Sequence, residues 1–209
     1  MKLKICGLKH PGNVRQLLVS QPDYLGFIFY KKSPRYAGET ADLSWVKNLP
    51  GSARKVGVFV DEKLLTVRKT AATLGLHVIQ LHGGEPPAHC EALRKEGLEI
   101  WKVFAVNEDF DFEKTKPYAG VCHKFLFDTK SKSRGGNGVA FDWSLLEKYA
   151  GETPFVLSGG IGPENAKPVK TLSSNRSLRL AAIDINSRFE IEPGLKDISL
   201  VKKFMHELF

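Results

Sequence analysis

The chain has 209 residues, 42% hydrophobic and 26% charged, which suits one globular domain with a substantial core and is too little for two ordinary ones. No apolar run approaches the roughly 20 residues of a membrane span, and Cys6, Cys90 and Cys122 are spaced for neither a disulfide framework nor a zinc site. The formal net charge of +8 is interspersed with acidic residues rather than gathered into a basic stripe; this argues against nucleic acid and leaves a small anionic substrate as the natural partner.

The chain opens on Met1-Lys2-Leu3-Lys4-Ile5-Cys6-Gly7, too short in its apolar part for a signal peptide, so it reads as a strand and the expected compartment is the reducing cytoplasm. Strand-length apolar runs then recur at 3–6, 24–29, 55–59, 78–81, 100–105, 124–127, 155–157 and 180–185. They are rich in Val, Ile and Phe and nearly continuous, as parallel strands buried on both faces should be. Between them, helices are expected at 11–20, 61–74, 87–96, 142–149, 163–172 and 198–208. In 61–74, Leu64, Leu65, Val67, Ala71 and Leu74 recur at helical spacing. Pro11, Pro87 and Pro163 each stand where a first helical turn tolerates a missing N–H. Eight strands alternating with helices specify an α/β protein, either a (βα)8 TIM barrel or an open doubly wound sheet. With no Gly-rich dinucleotide loop after the first strand, we expect the barrel, as a single catalytic domain over 1–209.

Barrel chemistry collects at the C-terminal strand ends. Those ends carry Cys6-Gly7, then Lys31-Lys32-Ser33-Pro34-Arg35, Gln80-Leu81-His82-Gly83, Asp128-Thr129-Lys130, Ser158-Gly159-Gly160 and Asp184-Ile185-Asn186-Ser187-Arg188. Gly159 and Gly160 before a helix suit an anion, with Asn186 and Ser187 as further donors, although two glycines also make a tight turn. Cys6 alone is compatible with a small core hydrophobe, or with a base if its setting is electropositive. Asp128 alone could cap its loop, yet it closes a strand five strands on and so can face Cys6 across a substrate as the second half of an acid–base pair. Lys31, Lys32, Arg35, Lys130, Lys132 and Arg134 would make the mouth positive, and Arg35, fixed by Pro34, could clamp a carboxylate. His82 has no assigned catalytic role; whether it meets substrate is open.

The motifs Lys4-Ile5-Cys6-Gly7, Gly26-Phe27-Ile28-Phe29, Ser33-Pro34-Arg35, Val56-Gly57-Val58-Phe59 and Gln80-Leu81-His82-Gly83 follow one another along the chain. Gly135-Gly136-Asn137-Gly138 leading to Phe141-Asp142-Trp143, then Ser158-Gly159-Gly160 and Pro193-Gly194-Leu195-Lys196-Asp197, complete the series. Taken in this order they closely resemble phosphoribosylanthranilate isomerase, the barrel enzyme family of tryptophan biosynthesis. The resemblance implies an Amadori rearrangement of N-(5-phosphoribosyl)anthranilate, with Asp128 as general acid and Cys6 as general base. It further implies Arg35 on the anthranilate carboxylate, and Gly159, Gly160, Asn186 and Ser187 on the phosphate. No metal and no organic cofactor are implied. A histidine-pathway aminoaldose isomerase would resemble a two-aspartate design, where this chain has Cys6. A triosephosphate-type isomerase should offer a Glu base and a His electrophile, which these strand ends lack.

One departure concerns Arg188, which stands where the family usually has glycine. Its side chain either obstructs a backbone cradle that needs positive φ or adds a contact to the phosphate, and we expect retained activity with altered phosphate binding. Oligomeric state is not legible in the sequence.

Overall fold

Strands that must be covered on both faces need apolar residues at successive positions, and the expected runs meet that need. The structure, a computed structural model, describes residues 1–39, 43–129 and 143–209. Its strands are β1 (Lys2–Ile5), β2 (Tyr24–Ile28), β3 (Arg54–Phe59), β4 (Val78–Leu81), β5 (Glu99–Val106), β6 (Lys124–Thr129), β7 (Phe155–Ser158) and β8 (Leu180–Ile185). Each pairs in parallel with the next, and β8 returns to β1 with Lys4 opposite Asp184 and Ile5 opposite Ile185, closing a (βα)8 TIM barrel. Outward side chains such as Leu3, Ile5, Phe27, Ile79 and Phe125 pack under the helices. Inward ones, including Tyr24, Val78, Trp101, Leu126 and Val156, fill the barrel below its mouth.

Strand interiors are less uniformly apolar than the sequence suggests. Lys4, Gln80, Lys102 and Asp184 lie within strands and are all buried.

The helices are α1 (Pro11–Leu18), α2 (Ser44–Lys47), α3 (Leu64–Leu74), α4 (Pro87–Arg94), α5 (Ala166–Ser174) and α6 (Ile198–Leu208). Pro11 and Pro87 occupy first turns as expected. Pro163 instead opens a 3-10 turn, Pro163–Asn165, and α5 begins at Ala166. The helix expected from 61 begins at Leu64, because Asp61 adopts φ 49° and its carboxylate accepts from Gly84 N at 2.6 Å. After β5 and β6 the described connections carry 3-10 segments, Phe112–Tyr118 and Trp143–Lys148; Pro117 inside the first removes a donor that an α-helix would use. A hairpin, β9 (Glu190–Glu192) with β10 (Leu195–Lys196), follows β8. The Asn13 side chain clasps it to α1, donating to Lys196 O at 2.8 Å and accepting from Lys196 N at 2.9 Å.

Gly135-Gly136-Asn137-Gly138, with Lys130, Lys132, Arg134, Phe141 and Asp142, lies outside the described residues. No described helix is long and apolar enough to cross a membrane.

Candidate active site

Strand side chains alternate between two faces, so the inward positions nearest the barrel mouth form a ring. That ring walls an open cleft lined by Cys6, Asp128, Gly159, Gly160, Asn186 and Ser187, together with Gln80, His82, Ser158 and Asp184. Of the residues expected to meet substrate, the structure brings these first six together. Arg35 and Arg188 are not part of the lining.

Cys6 follows β1 directly, its N–H donating to Ile185 O at 3.0 Å as an extension of the ladder. Beside it, position 26 carries no side chain: a Cβ there would stand 2.8 Å from Sγ and 3.0 Å from the Cys6 Cα. Gly7, at φ 76°, then threads between Arg35 and Asn186, where an added Cβ would meet Asn186 Oδ1 at 2.6 Å. Below the sulfur, the fully buried Lys4 places Nζ 2.7 Å from Asp184 Oδ2. Burial, with Asp184 beside it, pushes the Cys6 thiol above its ordinary value, and the Lys4 ammonium offsets only part of that rise. Burial likewise works against the Lys4 charge, but Asp184 and Cys6 more than offset it and hold the ammonium above its ordinary value. The second Asp184 oxygen, Oδ1, and Gln80 Oε1 have no hydrogen-bond partner among the described residues. Two buried acceptors on the cleft wall thus await donors.

Asp128 projects from β6 with His82 Nε2 at 3.6 Å from its Oδ2, and Gln80 Nε2 lies 3.5 Å from His82 Nδ1. The loop carrying His82 is pinned from beneath. Glu85 accepts from Asp61 N at 2.9 Å and Gly83 N at 3.0 Å, and pairs with the buried Lys102 at 3.0 Å; Lys102 also donates to Gly83 O at 2.6 Å.

Across the mouth, Gly159 and Gly160 take φ 95° and 67°, a conformation that favours glycine. An added Cβ at 160 would touch nothing within 4 Å, so the constraint there is conformational. In the neighbouring loop, Ser187–Phe189 forms a single 3-10 turn. Asn186 Oδ1 accepts from the buried Lys196 Nζ at 2.7 Å, and Lys196 pairs with Glu190 at 2.7 Å. Arg35 faces the same carboxylate, with Nε 2.9 Å from both oxygens and Nη2 2.6 Å from Oε2. Burial pushes Glu190 up, but the two cations prevail and hold it below its ordinary value. The cation expected to clamp a substrate carboxylate is therefore already engaged. Arg188 is not at positive φ, so it blocks no glycine-like cradle, and its Nη2 pairs with Glu164 Oε1 at 2.8 Å on the surface.

Lys4, Gln80, His82, Asp184, Glu190 and Lys196 have no role assigned from the sequence alone. A signal was present: Lys4 and Cys6, Gln80 and His82, and Asp184 and Asn186 are polar pairs two residues apart around an apolar one. That spacing marks an inward polar face rising to the mouth. Glu190 and Lys196 carry no such signal, because a hairpin brings them back.

Residues 3–207 match the family model described as N-(5'-phosphoribosyl)anthranilate (PRA) isomerase. The N-(5'-phosphoribosyl)anthranilate isomerase of Parabacteroides distasonis is 43% identical over 209 residues, covering 100% of this chain and 93% of that protein. The protein of the same name from Phocaeicola vulgatus is 39% identical, with 100% and 98% covered. The crystal structure of phosphoribosyl anthranilate isomerase from Thermotoga maritima superposes with a TM-score of 0.83 at 33% identity, covering 100% of this chain and 98% of that one. A solved phosphoribosyl anthranilate isomerase in complex with reduced 1-(o-carboxyphenylamino)-1-deoxyribulose 5-phosphate matches at TM-score 0.81 and 31% identity, with 100% and 98% covered. The chain belongs to the N-(5'-phosphoribosyl)anthranilate isomerase family.

Proposed function

We propose that this isomerase of tryptophan biosynthesis works as one catalytic domain over 1–209, with Asp128 as general acid and Cys6 as general base. The observation that carries the assignment is their placement on one cleft wall, from β6 and from the end of β1, separated around the ring by β7 and β8. Asp128 protonates the ribose ring oxygen, the C1–O bond opens, and the anthranilate nitrogen supplies the electrons for a Schiff base. Cys6, as thiolate, takes the proton from C2, leaving an enolamine that tautomerises to the ketone. Every step is a proton transfer or the C–O cleavage that one assists, so the chemistry calls for neither a redox nor an organic cofactor.

A phosphorylated small molecule fits the remaining geometry. Gly159, Gly160, Asn186 and Ser187 take the phosphate at loops that commonly do so in barrels. The unpartnered Asp184 Oδ1 and Gln80 Oε1 accept from sugar hydroxyls, which removes the cost of two bare buried acceptors. Arg35 reaches the anthranilate carboxylate by exchanging Glu190 for it; Lys196 and Gly194 N, both already on Glu190, keep that carboxylate satisfied. His82, beside Asp128, orients the acid. Arg188 acts on phosphate binding through Glu164, which ties the loops after β7 and β8 together.

Phosphoribosylanthranilate fluoresces, and its loss on adding protein reads turnover. Cys6→Ser and Asp128→Asn should each lower kcat by at least about 10², the low end for a positioned acid or base. Activity within a few-fold of wild type in either variant would remove that residue from its role.

A further inference from the structure

A lysine with no exposed surface inside a barrel is costly unless something uses its charge. Lys4 is such a residue, wholly buried two positions before Cys6 and so on the same inward face of the chain. Strand register sets Lys4 opposite Asp184, and its Nζ lies 2.7 Å from Asp184 Oδ2, on the inward face that carries the Cys6 sulfur two residues on. Asp184 spends one oxygen on this contact and leaves the other without a partner among the described residues. The ammonium therefore faces two competing acceptors, the Asp184 carboxylate and the thiolate that exists only when Cys6 gives up its proton.

We propose that Lys4 and Asp184 form a charge balance beneath Cys6, in which the Lys4 ammonium stabilises the thiolate and Asp184 restrains it, making both positioning residues for the base. The inference rests on Cys6 being the base. When the thiol loses its proton, the Lys4 ammonium leans from Asp184 toward the sulfur. Asp184 is freed at that moment to receive a hydroxyl from the opened sugar. No proton passes to or from Lys4.

The other charged groups around Cys6 do not supply this function. Lys196, on β10, also acts on the sulfur, but its ammonium is held by Glu190 and Asn186 Oδ1, each at 2.7 Å. Arg35 is spent on Glu190. Asp128 on β6 faces His82 at 3.6 Å, and β2 presents the uncharged Gly26 to the thiol. Among these cations Lys4, on the same strand face as the thiol, acts on it most strongly.

Alkylation of Cys6 by iodoacetamide, followed against pH on the peptide that contains it, reads the thiolate fraction without any turnover. At pH 7.5 Lys4→Met should slow the reaction at least about tenfold, which is one pKa unit. Asp184→Asn, nearly the same in shape and one negative charge fewer, should speed it about threefold or more. Opposite signs are the signature of charge balance, since simple loosening of the pocket moves both variants the same way. Equal signs, or no change in either, overturn the proposal. Should Lys4→Met fail to fold, Asp184→Asn decides alone: an unchanged or slower alkylation overturns it. Turnover is measured on the same variants. If alkylation shifts as expected while the pH profile of kcat/KM stays put, the charge balance stands and Cys6 loses its role as base.

Discussion

Position 26 bears directly on Cys6 although it holds no functional group. A methyl group there would stand 2.8 Å from Sγ and 3.0 Å from the Cys6 Cα, closer than a flexible side chain alone can relieve. Gly26→Ala should therefore push Cys6 out of line, since misplacement by about 1 Å costs roughly 10² in rate. We expect kcat to fall about 10- to 100-fold, with overpacking costing about 1–3 kcal/mol in urea unfolding. A wild-type kcat would show that the sulfur has more freedom than the packing allows. At this scale the sequence showed the groups that end strands, Cys6 and Asp128, and missed those one layer deeper. The alternation of Lys4 with Cys6 and of Asp184 with Asn186 marks an inward polar face, but only the closure of β8 on β1 puts Lys4 and Asp184 2.7 Å apart. Arg35 was legible as a clamp, but Glu190 opposite it was not, because the pair is separated by 155 positions in the chain.

The elements themselves were largely readable, because parallel strands buried on both faces leave an unbroken apolar signature. What failed was short or borrowed. The one-turn α2 is too brief to show periodicity, and Pro117 hides the 3-10 segment Phe112–Tyr118. Asp61 left the start of α3 for a contact with the loop after β4. The turn Ser187–Phe189 illustrates how such a loop tolerates a change of residue type. A 3-10 turn needs no positive φ at position 188, so arginine fits where glycine is usual in the family, and its guanidinium finds Glu164 at the entrance to the facing loop. Exposed ion pairs of this kind contribute about 0–1 kcal/mol. Arg188→Gly should accordingly raise KM by about two- to fivefold at unchanged kcat, measured by the fluorescence assay. An unchanged KM would show that Arg188 takes no part in binding, and a tenfold fall in kcat that it touches the reacting centre.

For the whole molecule, closure of the barrel separates a reactive end from a stabilising one. The mouth holds Cys6 and Asp128, while the opposite end is sealed by Tyr24 and Trp101, whose rings meet edge-on at 4.9 Å. Around that seal Glu99 accepts from Lys124 at 2.6 Å and Trp101 Nε1 at 2.7 Å, and also pairs with Arg54. Burial pushes the Glu99 carboxyl up, but these donors overcome it and bring the group from 4.5 down to about 2. Its folded value thus lies below its unfolded one. The stabilisation is complete above the unfolded value and drains away as pH falls from 4.5 toward about 2. Partial exposure to solvent screens the interaction, leaving about 1–2 kcal/mol at neutral pH. Glu99→Gln should therefore unfold at lower urea concentration than wild type at pH 7, and the gap should narrow by pH 3, where wild type begins to lose the same charge. Because Glu99 sits at the far end of the barrel from Cys6, kcat at pH 7 should stay within about twofold of wild type at temperatures where both are folded. A gap that widens on acidification would show that some other group governs the acid limb.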